Sequence, residues 1–143
     1  MFDRAFAADP AQLLTVLARA DAGRIRALAE RLLPALGPVE VLASRTGLVM
    51  LPMRDTAQGT DFFLGEVLVA DAQIRAAGVT GYVMITGRDL ERAMAMAVLD
   101  AAHALGLPEV AALAAAEARV QAAEDEARLR AVEATRVEME TFC

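Results

Sequence analysis

Residues 81–89 read GYVMITGRD, and the run LERAMAMAVLDAA follows at once. An apolar stretch thus ends in Gly87-Arg88-Asp89 and opens directly into a helical pattern. Two chemistries fit that corner. Arg88, beside the positive end of a helix, can grip a phosphate. Alternatively, Gly87 turns the chain while Asp89 accepts from the first free amides of the helix. Asp89 weighs against an anion, because it occupies those amides and adds a negative charge. The capping box is incomplete, with Arg92 where Glu or Gln would stand. Physics alone favours a capped corner, with Arg88 as the residue available to an anion.

The loop Arg54-Asp55-Thr56-Ala57-Gln58-Gly59-Thr60-Asp61 gathers carboxylates, a base and hydroxyls. Such a set either lines a pocket, with Arg54 and Asp61 at its margins, or is a solvated hairpin connection, the commoner case. With Arg88 it defines one reading of the chain, a small self-contained enzyme or binding module for an anionic, phosphate-bearing metabolite; another is a purely structural assembly subunit whose sheet edge and last helix grip a partner. His103, flanked by Leu99 and Leu107, reads as a partly buried histidine without an acid-base partner. Near the C-terminus Arg119, Arg128, Arg130 and Arg136 alternate with Glu124, Glu126, Glu133 and Glu138, the pattern of a solvated helix face.

Composition removes several chemistries. All 14 basic residues are arginine, so this chain supplies no Walker-A lysine, Schiff-base lysine or lysine base. One His103 and one Cys143 leave no zinc constellation and no internal disulfide. A net charge of −6 opposes nonspecific nucleic-acid binding. The opening MFDRAFAADPAQ lacks a signal-peptide core. The apolar-rich stretch 93–118 is interrupted by Asp100, His103, Pro108, Glu109 and Glu117, which argues against a membrane span. The expectation is a soluble, cytoplasmic protein of one domain, residues 1–143.

The elements that position these residues follow from caps and periods. Asp9-Pro10 starts a helix with Leu13, Leu14 and Leu17 on one face. Asp21 starts a second, with Ile25, Leu28 and Leu32, ended by Pro34 and Gly37-Pro38. Four strands are then expected, at 39–43, 47–51, 62–69 and 81–86, with 71–77 a turn or short helix. The third, FFLGEVLV, is apolar on both faces except at Glu66, as in a strand covered on both sides or paired against a partner. Pro52 marks a sheet margin, and Gly65 a bulge or a close backbone approach. The helix from Leu90 to Leu105 is apolar nearly all round and therefore buried. From Glu109 to Glu138 no proline or glycine interrupts a run of Ala, Glu and Arg. About thirty residues at ~1.5 Å rise span ~45 Å, against a radius of gyration of roughly 14 Å for a compact chain of this size. Residues 109–143 are thus expected to extend past the body and pack on a partner chain. The architecture expected is α+β: an N-terminal helical hairpin, a four-stranded mainly antiparallel sheet, a buried helix and a long C-terminal helix.

Five ordered segments carry a resemblance. They are Thr46-Gly47-Leu48-Val49-Met50, then Gly59 with Phe62-Phe63-Leu64-Gly65-Glu66, then Gly81-Tyr82 leading to Gly87-Arg88-Asp89. Leu99-Asp100-Ala101 and Ala134-Thr135-Arg136-Val137-Glu138 complete the set. Together they resemble PhnG, the small subunit of the bacterial carbon–phosphorus lyase system. The resemblance implies a subunit rather than a solitary enzyme, assembled with PhnH, PhnI and PhnJ. With PhnH, PhnI and the ATP-binding protein PhnL, the family is needed for forming an α-D-ribose 1-phosphonate 5-triphosphate from ATP and a phosphonate, with adenine displaced. The iron–sulfur cluster and S-adenosylmethionine of the later C–P cleavage belong to PhnJ, and the resemblance implies neither a catalytic residue nor a cofactor or metal ligand in this chain. Arg88, Asp89, Arg54, Asp61, Arg136 and Glu138 are then candidates for an anion-facing or interface role. Two features depart from the family: the tail after Glu138 is partly polar, and no proline falls within Val110–Leu113.

Overall fold

The computed structural model describes residues 9–137. Helix α1 spans Pro10–Arg19 and begins as its cap predicts, the Asp9 carboxylate accepting from the Ala11 amide at 3.0 Å. Helix α2, Ala22–Leu36, starts at Asp21, which accepts from the Arg24 amide at 2.9 Å. Pro34 lies inside the last turn of α2 instead of ending it, and Gly37 at φ 71° makes the stop. Leu13 and Leu17 of α1 and Ile25, Leu28 and Leu32 of α2 belong to one continuous core. Each such residue contributes about 1.5–3 kcal/mol through burial.

Among the described residues the sheet has three strands in the order β1-β2-β3, all antiparallel, not the four expected from sequence. Strand β1 runs unbroken over Val39–Arg54, joining segments 39–43 and 47–51. The rungs Ser44↔Ala72, Arg45↔Asp71, Thr46↔Ala70 and Gly47↔Val69 carry the ladder through the supposed break. Irregularity is absorbed by a register shift at Leu42, so no turn is required. Strand β2, Asp61–Ala76, likewise takes in 71–77, which is neither turn nor helix up to Ala76. It reverses into β3, Val79–Thr86, through Ala77 (φ 47°) and Gly78 (φ 80°). Two successive left-handed residues match the right-handed twist of the strands they join. A second register shift falls between Leu51↔Gly65 and Pro52↔Phe63, beside the glycine expected to mark one.

Helix α3, Leu90–Ala104, lies between the sheet and the N-terminal helices and is buried along most of its length. It covers the face formed by Ala70, Ala72, Ile74, Val83 and Ile85. Gly81 lies against the Ala97 turn of α3, and the Asp100 carboxylate accepts from the Tyr82 amide at 3.0 Å. Helix α4, Pro108–Ala134, is one continuous helix of 27 residues. Val110, Ala114, Glu117 and Gln121 are its buried positions. Asp125 still ties the helix to Arg19 of α1 at 2.7 Å, and the nine residues after it, Glu126–Ala134, project about 13 Å with every side chain exposed. No single helix among the described residues is long and apolar enough to cross a membrane.

Candidate functional site

The Gly87-Arg88-Asp89 corner is the junction of three elements. Gly87 has φ 99°, and its amide donates to the Leu68 carbonyl at 2.9 Å, the last tie between the β3 end and β2. Asp89 caps α3, its carboxylate accepting from the Arg92 amide at 3.0 Å. The capped-corner reading therefore describes the backbone. Arg88 is exposed; its carbonyl accepts from the Leu90 amide at 3.0 Å, and its guanidinium has neither hydrogen bond nor ion pair among the described residues.

Arg92 holds a position that sequence reasoning treated only as a defect in the capping box. Its Nη2 donates to the carbonyls of Leu17 (3.1 Å), Ala18 (2.6 Å) and Ala20 (2.6 Å), closing the C-terminus of α1. The available signal was the absence of a glycine after α1, which leaves its last carbonyls in need of a donor. A cleft of about 630 Å³ lies beside this arrangement, between α1, β3 and the start of α3. Its charged lining is already engaged: Arg19 with Asp125 at 2.7 Å, Asp89 with the helix amide and Arg92 with the carbonyls.

Arg54 and Asp61 lie elsewhere. Past the rung Val69↔Thr86, β3 ends while β1 and β2 continue together to their connecting loop. The loop is satisfied internally. The Asp55 carboxylate accepts from the amides of Ala57 (3.0 Å) and Gln58 (2.9 Å), which hold it below the usual carboxylate range. Arg54 Nε donates to the Gly59 carbonyl at 3.1 Å and lies 3.7 Å from Asp61. Seven residue steps of extended chain separate Asp61 from Leu68, the partner of Gly87, a span of roughly 23 Å. The loop and Arg88 thus occupy the tip and the root of one hairpin and do not converge on a common ligand. Arg136 follows the end of α4 and pairs with Glu133 at 3.1 Å. Glu138 lies outside the described residues.

The same hairpin carries the most unusual surface of the chain. In register, Leu48 opposes Leu68, Met50 opposes Glu66 and Pro52 opposes Phe63 on one face. Val49 with Val67, Leu51 with Gly65 and Met53 with Phe62 make up the other. Leu48, Phe63 and Leu64 are each more than 60% exposed, although all three are large and apolar. Sequence periodicity identified a strand apolar on both faces; among the described residues both faces are exposed over most of their length, with Val49 and Val67 half-buried.

Two buried acids also escaped sequence reasoning. Asp71 is buried and takes Arg45 Nε at 3.1 Å across β1 and β2, in a segment read as a turn. Glu117 is buried on α4 and takes Arg24 Nη1 at 2.6 Å. Asp100 is half-buried, and burial raises its carboxyl above the usual value against the opposing pull of the Tyr82 amide and His103. Among the described residues, no three His, Cys, Asp or Glu side chains gather as a metal site would need.

The family model described as phosphonate metabolism protein PhnG matches residues 10–143. No curated protein matches the chain at a significant level.

Proposed function

The chain belongs to the PhnG family and so takes part in phosphonate metabolism, and from that premise we propose that it is a subunit of the carbon–phosphorus lyase core complex. In this reading it acts with PhnH, PhnI and PhnL in forming α-D-ribose 1-methylphosphonate 5-triphosphate from ATP and methylphosphonate, with adenine displaced. PhnJ joins the same assembly and carries the iron–sulfur cluster and S-adenosylmethionine used later. ATP enters as a substrate of the complex, and the compartment is the cytoplasm. The family match over residues 10–143 carries the proposal. The separation of Arg88 from Arg54 and Asp61 supports it over a self-contained anion site, which would need those groups around one ligand.

The test is adenine release from ATP plus methylphosphonate. We expect none from the purified chain, none from PhnH, PhnI and PhnL without it, and turnover when all four are combined. Full turnover by the chain alone, or by the other three alone, overturns the proposal.

A further inference from the structure

We propose that the hairpin beyond the Val69↔Thr86 rung is an insertion arm that enters an apolar cleft on a different polypeptide, with a cation in that cleft opposite Glu66. The inference rests on the subunit reading above and adds which surface makes the contact and what it fits.

Eight residues of each strand, 47–54 and 61–68, form a two-stranded ribbon about 25 Å long. A flat partner could cover one face of it and would leave the other wet. Apolar side chains on both faces call for two walls, hence a cleft. The exposed parts of the arm's large apolar side chains amount to on the order of 800 Å², one partner's share of a standard protein–protein interface. The tip is pre-ordered by the Asp55 and Arg54 hydrogen bonds, so little chain entropy is lost on insertion.

A second copy of this chain fits poorly. Its grooves beside α3 offer Glu66 no free cation: Arg19 pairs with Asp125 and Arg92 with the α1 carbonyls in one, and Arg26 pairs with Glu91 beside Glu30 in the other. Edge-to-edge pairing of two arms would satisfy backbone groups yet leave both faces bare, and Pro52 with the shift at Leu64 blunts the edges. An anionic membrane fits no better, because the arm sets Arg54 against Asp55, Asp61 and Glu66. Glu66 lies among apolar neighbours and has no ion-pair partner among the described residues. A carboxylate covered by a cleft needs a compensating cation there.

The experiment co-expresses the full chain with tagged PhnI, PhnH and PhnJ and measures how much of it is recovered in the tagged complex. Leu48→Ser/Phe63→Ser disrupts one face and Met53→Ser/Phe62→Ser the other; Glu66→Arg tests the cation, and Arg31→Ser on α2 is the control. We expect each arm variant to keep the wild-type thermal transition by circular dichroism and to lose at least tenfold in recovery, with the control unchanged. A photo-crosslinking residue at position 63 gives an independent readout should a double variant fail to fold. It is expected to join this chain to one of the three subunits.

Failure of wild-type recovery would sink the subunit reading and this inference together. Wild-type recovery matched by both arm variants would sink the arm alone. A homodimer of the isolated chain that the arm variants dissolve would make a second copy the occupant and overturn the proposal. Arm-dependent binding to phosphatidylserine vesicles without recovery in the complex would overturn it as well.

Discussion

Gly81 and Ala97 are in backbone contact: a Cβ on Gly81 would fall inside the van der Waals envelope of the Ala97 carbonyl oxygen and also press on Ala101. The obstacle is the main chain of α3, which cannot swing aside as a side chain could. Glycine is required here for space, not for φ.

Gly81→Ala should therefore destabilise the protein by about 2 kcal/mol or more in urea unfolding, as overpacking against fixed backbone does. Gly47→Ala is the comparison, since nothing lies within 4 Å of a Cβ at that extended position. It should leave stability within about 0.5 kcal/mol of wild type or raise it slightly.

Arg92→Ala removes the guanidinium that closes α1 at Leu17, Ala18 and Ala20. A loss of about 1–2 kcal/mol is expected, in line with hydrogen bonds from a charged donor. Hydrogen exchange should quicken first at the C-terminal amides of α1. Arg92→Lys should recover only part of the loss, because an ammonium lacks the planar fork.

Asp100 gives a pH signature with a definite sign. Burial raises its carboxyl above the ordinary 3.8, so the folded protein holds this proton more tightly than the unfolded chain. Stability from this group is greatest below 3.8 and is lost as pH rises through the folded value. Asp100→Asn keeps an acceptor for the Tyr82 amide and carries no charge. It should be at least as stable as wild type at pH 7, with the advantage shrinking as pH falls toward 3.8. Asp100→Ala leaves the Tyr82 amide without its acceptor and should cost about 1–3 kcal/mol. Chemical denaturation at several pH values checks all three.

Arg88→Ala should leave unfolding free energy within about 0.5 kcal/mol of wild type, since Arg88 is exposed and unpaired among the described residues. Any fall in adenine release by the assembled subunits would then report a contact to ligand or partner, not a folding defect.

Much of this fold was legible because its signals act over a few residues. Asp9-Pro10, Asp21 and Asp89 start helices in the structure where their side chains reach the first amides. The all-round apolar pattern of 90–105 marked the buried helix, and the uninterrupted run after Pro108 marked the long one. The strand count was misread for a reason of the opposite kind. Whether Ser44-Arg45-Thr46-Gly47 turns or stays extended depends on 69–72 lying opposite, a contact more than twenty residues away in sequence. Ala77-Gly78 lacks the asparagine or aspartate that usually announces such a turn, so the β2–β3 reversal was placed too early.

The candidate site divides along the same line. Composition alone excluded lysine chemistry, and five ordered segments pointed to the family that the match over residues 10–143 bears out. Residue order also identified Arg88 beside a capped helix and a strand apolar on both faces. Tertiary structure decided that β3 stops at Thr86 while its neighbours run on, which leaves most of that strand exposed among the described residues and, of the two alternatives read from sequence, not covered on both sides. It decided too that Arg92 serves a different helix and that Arg88 and Arg54 lie at opposite ends of the arm. The division is physical: caps, turns and side-chain periods are set by neighbours along the chain, whereas burial and convergence depend on which segments the fold brings alongside.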